Sequence, residues 1–138
     1  MQASAESLTT ERILASLGYP EIARVVREHV RLEDDWPDYR PLREAEVVNY
    51  ADKRVLHTRV VSLAERFADL EVRYGRTPEA LVRIASMAAK TQVLEKKLFA
   101  PLSLDPQDLL RVNGDYQFQV ETSAKYLIGR GFFKFPPP

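Results

Sequence analysis

An all-α fold, a single bundle of about five to six helices, is what this sequence predicts, and two observations predict it. Apolar residues recur at steps of three and four along most of the chain. Breakers also stand where helices should change: Gly18, Gly75 and Gly114 suit helix ends, and Pro20, Pro41, Pro78 and Pro106 suit helix starts. A chain of 138 residues that is 45% hydrophobic and 29% charged has the size and apolar content of one compact domain.

Taken in order, a first helix is expected over residues 10–17, with Thr10 as N-cap and Gly18 as its stop. Pro20 opens the second, in which Ile22, Val25, Val26 and His29 fall at i, i+3, i+4 and i+7 and so form the expected inward stripe. Residues 33–41, acidic, aromatic and twice interrupted by proline, read as an ordered surface loop whose Trp36 and Tyr39 anchor it to the core or stack on a ring. A third helix beginning near Pro41 places Ala45, Val48, Asp52, Val55 and Leu56 on one face. Ser62 and Glu65 form the S-x-x-E capping signature of a fourth, with Leu63, Phe67, Leu70 and Tyr74 as its seam. Thr77 and Pro78 start the longest helix, whose Ala80, Ile84, Met87, Thr91, Leu94 and Leu98 alternate steps of four and three as a bundle seam does. At 1.5 Å per residue its roughly 22 residues would span about 33 Å. If Leu81, Val93 and Phe99 face outward from it, a subunit interface follows.

A short helix from Asp105 and Pro106 to Val112 comes next. Beyond it Tyr116, Phe118 and Val120 alternate as in a strand, residues 122–128 read equally as helix, and the terminal FFKFPPP is aromatic enough to pack on the body or on another subunit. The expected organisation is therefore a flexible segment 1–8, a helical domain 9–112 and a C-terminal extension 113–138.

Charge and residue usage exclude several function classes. Lys plus Arg and Asp plus Glu are equal at 20 each, so net charge gives no attraction to nucleic acid or to a membrane surface. The absence of cysteine removes disulfides, thiolate metal sites and a cysteine nucleophile. The first twenty residues carry Glu6, Glu11 and Arg12 without an apolar run, unlike a signal peptide or membrane span, and the expected location is the cytoplasm.

LGYPEIARVVREH, followed by AEVVNYADKRV and VSLAERF, resembles the second half of an HD-superfamily domain, the all-helical metal-dependent phosphohydrolases. The resemblance covers about residues 11–74 and implies an HD-domain-like bundle. It implies that Asp52 stands where the family's last metal-binding Asp stands, and His29 where some members carry a second-metal histidine. The family's first His and its His-Asp dipeptide have no counterpart, and the other histidine, His57, five residues beyond Asp52, points about 140° away if the helix continues.

The candidate site is accordingly His29 and Asp52, with Asp34 and Asp35 of the acidic loop as further oxygen ligands beside Glu33. The metal would be Mn, Mg, Ni or Fe, polarising a phosphoryl oxygen of a phosphorylated small molecule. Lys53, next to Asp52, is a candidate catalytic cation, and Arg24, Arg27 and Arg31 share a helix face that suits a phosphate. The competing structural readings are that His29 and Asp52 hydrogen-bond to each other, that the arginines form a solvated face, and that Lys53 and Arg54 pair at the surface with Glu46, Asp69 or Glu71. Three functions follow: a degenerate or truncated HD-like domain serving as a binding or assembly module, a phosphohydrolase whose site is completed by another chain or by the acidic loop, or a helical oligomerisation protein. A homo-oligomer or a partner chain is expected in the first and third.

Overall fold

The computed structural model describes residues 5–33 and 40–114. Asp34, Asp35, Trp36, Tyr39, the alternating Tyr116 to Val120 and the aromatic tail lie outside the described residues. Within them the fold is all-α, with one small two-stranded hairpin. The helices are α1 (Ala5–Ser16), α2 (Pro20–Glu28), α3 (Glu44–Arg54), α4 (Leu63–Tyr74) and α5 (Pro78–Phe99), followed by a 3₁₀ helix, Pro106–Asn113. β1 (Val55–Leu56) and β2 (Arg59–Val60) pair antiparallel between α3 and α4.

Local chemistry sets the ends. Thr10, expected as a cap, lies inside α1, which closes at Gly18 as expected. The Gly18 N–H bonds the Ala15 carbonyl and the Tyr19 N–H bonds that of Leu14, the two bonds of a Schellman turn, with Gly18 at φ 89° in the left-handed region. Ser62 Oγ accepts the Glu65 N–H at 3.1 Å and Thr77 Oγ1 accepts the Ala80 N–H at 3.1 Å, so both expected N-caps form. The reciprocal half of the Ser62 box gives way to an ion pair, because the Glu65 carboxylate accepts from Arg59 at 2.9 Å. Asp105 caps the 3₁₀ helix through the Gln107 N–H at 2.8 Å, while the Asp108 carboxylate accepts the Asp105 N–H at 3.1 Å.

α1 packs on α2, α2 on α3, and α3 in turn on both α4 and α5. The core lies where α3 crosses α5: Tyr50, Leu94 and Leu98 form its centre, and Leu32, Leu63, Phe99 and Leu109 close around it. The α5 seam is as expected, with Ile84, Thr91, Leu94 and Leu98 buried. Leu81 and Val93 do face outward, but Phe99 turns in and meets the Tyr50 ring edge-on at 5.9 Å. On α4 Phe67 is buried and Tyr74 is exposed.

Three expectations are corrected. On α2 the fully buried residues are Ala23 and Glu28, whereas Ile22 is exposed and Val25, Val26 and His29 are half-buried. The helix is rotated because Arg27 joins Glu11 at 2.9 Å and Glu33 at 2.7 Å, and Glu28 turns inward to Arg43. On α3 the rotation is larger: Ala45, Glu46, Asn49, Tyr50, Lys53 and Arg54 are buried, and Val47 and Val48 are exposed. These six fall at i, i+1, i+4, i+5, i+8 and i+9, an unbroken helical stripe in which four members are polar or charged. Lastly, Val55 and Leu56 leave the helix as β1. His57 turns the hairpin at φ 56°, and Val55 pairs with Val60, so His57 is on no helix at all. The β-branched residues on both sides of the turn favour that extended path.

Gly18→Ala places a Cβ in open space but in the left-handed region, and is expected to lower stability in urea unfolding by about 1 kcal/mol from backbone strain alone.

Candidate functional site

Among the described residues, His29 and Asp52, which sequence reading gathered into one site, each have a partner within their own element. The His29 Nδ1–H donates to the Val26 carbonyl of its own helix. The Asp52 carboxylate, about one-third exposed, accepts from the Lys53 ammonium at 2.9 Å. The expected His29–Asp52 hydrogen bond is therefore not made, because each group has a closer partner within its own element. Arg27 bridges α1 to Glu33, so it does not join Arg24 and Arg31 in an open phosphate clamp. Arg24 is exposed. His57, at the hairpin turn, sits with Nε2 3.1 Å from Arg73, whose guanidinium can only donate.

What the structure does bring together is a set of buried charges around α3. Lys53 is 2% exposed, and its ammonium donates to Asp52, to the Val30 carbonyl at 3.1 Å and to the His29 carbonyl at 3.5 Å. It thereby caps the carbonyl end of α2 with a cation, where the helix dipole favours one. Burial pushes the Lys53 amine below the usual lysine value; Asp52 works against that shift and Arg66 adds to it. The surface ion pairs expected for Lys53 and Arg54 are thus replaced by interior ones.

Arg54, 3% exposed, distributes its guanidinium over four partners. Nε donates to the Val61 carbonyl at 2.7 Å, Nη2 to the Pro106 carbonyl at 3.0 Å, and Nη1 to the Tyr50 hydroxyl at 2.6 Å and the Glu95 carboxylate at 3.3 Å. The Tyr50 hydroxyl donates in turn to Glu95 at 2.6 Å. Burial and then the Glu95 carboxylate raise the Tyr50 hydroxyl above the ordinary tyrosine range, only partly opposed by Arg54. One turn earlier on α3, Glu46 accepts from Lys97 of α5 at 2.7 Å and from its own helix's N-terminal Arg43 N–H at 2.9 Å. Glu28, 1% exposed, receives Arg43 at 3.4 Å, while Asn49 donates to the Glu28 carbonyl at 3.1 Å.

Of the four expected metal ligands, Asp34 and Asp35 lie outside the described residues, and the Asp52 carboxylate faces the Lys53 ammonium. Among the described residues no group of three or more His, Asp or Glu side chains is placed to hold an ion. Sequence reading missed Glu28, Asn49 and Tyr50, and it placed Glu46 and Arg54 at the surface where the structure buries them. The signal was present as the i, i+4 ladders 46, 50, 54 and 45, 49, 53, masked by the greater hydrophobicity of Val47, Val48 and Val55. No helix among the described residues is long and apolar enough to cross a membrane. Comparison with protein-family models, with curated proteins and with solved structures finds no match.

The two shifted groups make opposite pH predictions. Between the folded Lys53 value and 10.5 the unfolded chain binds more protons, so stability is expected to rise with pH in that alkaline window. Above about 10.0 the unfolded chain loses a tyrosine proton that folded Tyr50 keeps, so stability falls. Urea midpoints measured across this range should lose the rising limb in Lys53→Met and the falling limb in Tyr50→Phe. Lys53→Met also strands the His29 and Val30 carbonyls, and is expected to cost about 1–3 kcal/mol at neutral pH.

Proposed function

We propose that this chain is a helical assembly module, on a scaffold resembling the second half of an HD-superfamily domain, that associates with a second copy of itself through the outer face of α3. The supporting observation is the inversion of that helix. Its charges are spent on internal ion pairs, while Val47, Val48 and Val55 remain 40–44% exposed with Ala51 among them and Leu42 just ahead, at 47%. A stripe of β-branched apolar residues without an exposed counter-charge except at its margins gains most by burial against another apolar surface. Ala51 at the middle of the stripe allows two helices to approach closely across a two-fold axis, the symmetry most homodimers use.

The donor geometry supports this reading over the metal-dependent phosphohydrolase. Asp52, the residue that the resemblance casts as a metal ligand, has its carboxylate on Lys53, and Lys53 holds the end of α2.

Sedimentation velocity on the full chain is expected to show a concentration-dependent dimer. Val48→Glu combined with Val55→Glu should leave it monomeric at the same concentrations, with a urea midpoint equal to that of dilute, monomeric wild type because both positions are exposed in the single chain. A wild-type chain that stays monomeric as concentration rises rejects the proposal. Phosphoester hydrolysis with Mn, Mg or Ni, lost in Asp52→Ala, would replace it by the hydrolase.

A further inference from the structure

We infer that α1 and α2 form an arm that opens from the body as a unit, and that the last turn of α2 is its latch. The inference stands apart from the dimer, since it concerns the inner side of α3. From residue 8 to residue 28 the fully buried residues are Ala23 and Glu28, and the half-buried Leu14, Val25 and Val26 are not among the residues packed on the core cluster. Leu8, Ile13, Leu17, Tyr19 and Ile22 are all exposed. The arm is well tied within itself, by the packing of α1 on α2 and by the Arg27–Glu11 ion pair at 2.9 Å.

Its ties to α3 are polar and concentrated on three consecutive residues. The Glu28 carboxylate takes Arg43 at 3.4 and 3.5 Å, the Glu28 carbonyl takes Asn49 at 3.1 Å, and the carbonyls of His29 and Val30 take Lys53 at 3.5 and 3.1 Å. Just beyond, Leu32 adds an apolar contact with the core cluster. Bonds of 3.4–3.5 Å are at the weak limit. A buried carboxylate held by such bonds recovers little more than the cost of its desolvation. The docked and open positions are therefore close in free energy. By contrast α3, α4 and α5 share Tyr50, Leu63, Leu94, Leu98 and Phe99. Opening would bring the Asn49 amide and the Lys53 ammonium, the donors on the inner face of α3, into water.

Hydrogen exchange of the full-length wild-type protein, read by mass spectrometry under native conditions, tests this. The expected result is that α1 and α2 amides exchange together, at least about ten-fold faster than α5 amides from Ile84 to Leu98. Asn49→Ala, which removes a latch donor, should speed the arm by about a further ten-fold. Ile84→Val, which loosens the body in the docked and open forms alike, should speed α5 amides by about five-fold and leave the arm within about two-fold. Arm amides as slow as those of α5, an arm unmoved by Asn49→Ala, or an Ile84→Val variant that accelerates all helices together, would overturn the inference. If neither variant folds, the wild-type comparison decides alone, and slow arm exchange rejects the arm whatever the sedimentation result.

Discussion

Everything in this fold depends on α3 carrying its charges inward. A lone charge cannot be left in a protein interior, so each buried one dictates the position of an opposite group on another part of the chain. Glu46 fixes Lys97, Arg54 fixes Glu95, Glu28 fixes Arg43, and Lys53 fixes Asp52 together with the two carbonyls that follow α2. The Glu46 and Arg54 pairs lie one turn on either side of Tyr50, which packs against Leu94, Leu98 and Phe99. Two ion pairs flanking one aromatic contact set how far α3 can slide or rotate on α5. Their net contribution to stability is small by comparison with the core contacts, since attraction and desolvation nearly cancel. Their contribution to specificity is large, because a rotation of α3 by one residue would leave four charges unpaired.

Arg54 extends the same constraint to the rest of the chain. Its bonds reach the Val61 carbonyl beside the hairpin and the Pro106 carbonyl at the start of the 3₁₀ helix, two segments with little regular structure of their own. The hairpin is further tied by Asn113, whose side-chain amide donates to the Val60 carbonyl at 2.7 Å and accepts the Val60 N–H at 2.8 Å, as a neighbouring strand would. That closes the outer edge of β2 without a third strand. The strained left-handed backbone at His57 persists because the chain on both sides is held in this way.

The sequence made the helices and their ends legible because those rest on short-range chemistry. Ser62, Thr77, Asp105 and Gly18 cap within a few residues of themselves, and the α5 seam is apolar enough that its period is unambiguous. The faces of α2 and α3 were not legible for the complementary reason. Reading a face from hydrophobicity assumes that apolar residues point in, and Val47, Val48 and Val55 outvote Glu46, Asn49, Lys53 and Arg54 under that assumption. The partners that overturn it, Lys97 and Glu95, lie about forty to fifty residues away and come near only in the fold. The same assumption placed His29 and Asp52 on inward stripes, whereas both are half-buried.

The inward charges and the outward valines are two consequences of one geometry. An eleven-residue helix that commits six positions to the interior, four of them polar or charged, has only its remaining arc for further apolar residues, and on α3 that arc holds Val47, Val48 and Ala51, continued by Val55. Were these valines placed to serve a monomer's core, the interior would offer them Arg43, Lys97 and Glu95 as neighbours, and every one of those charges would lose its partner. A helix of this kind cannot be righted by rotation within the single chain. Its outer stripe reaches an apolar surrounding only by meeting another apolar surface, and the interior ion pairs, by fixing the rotation of α3, keep that stripe presented in a constant orientation.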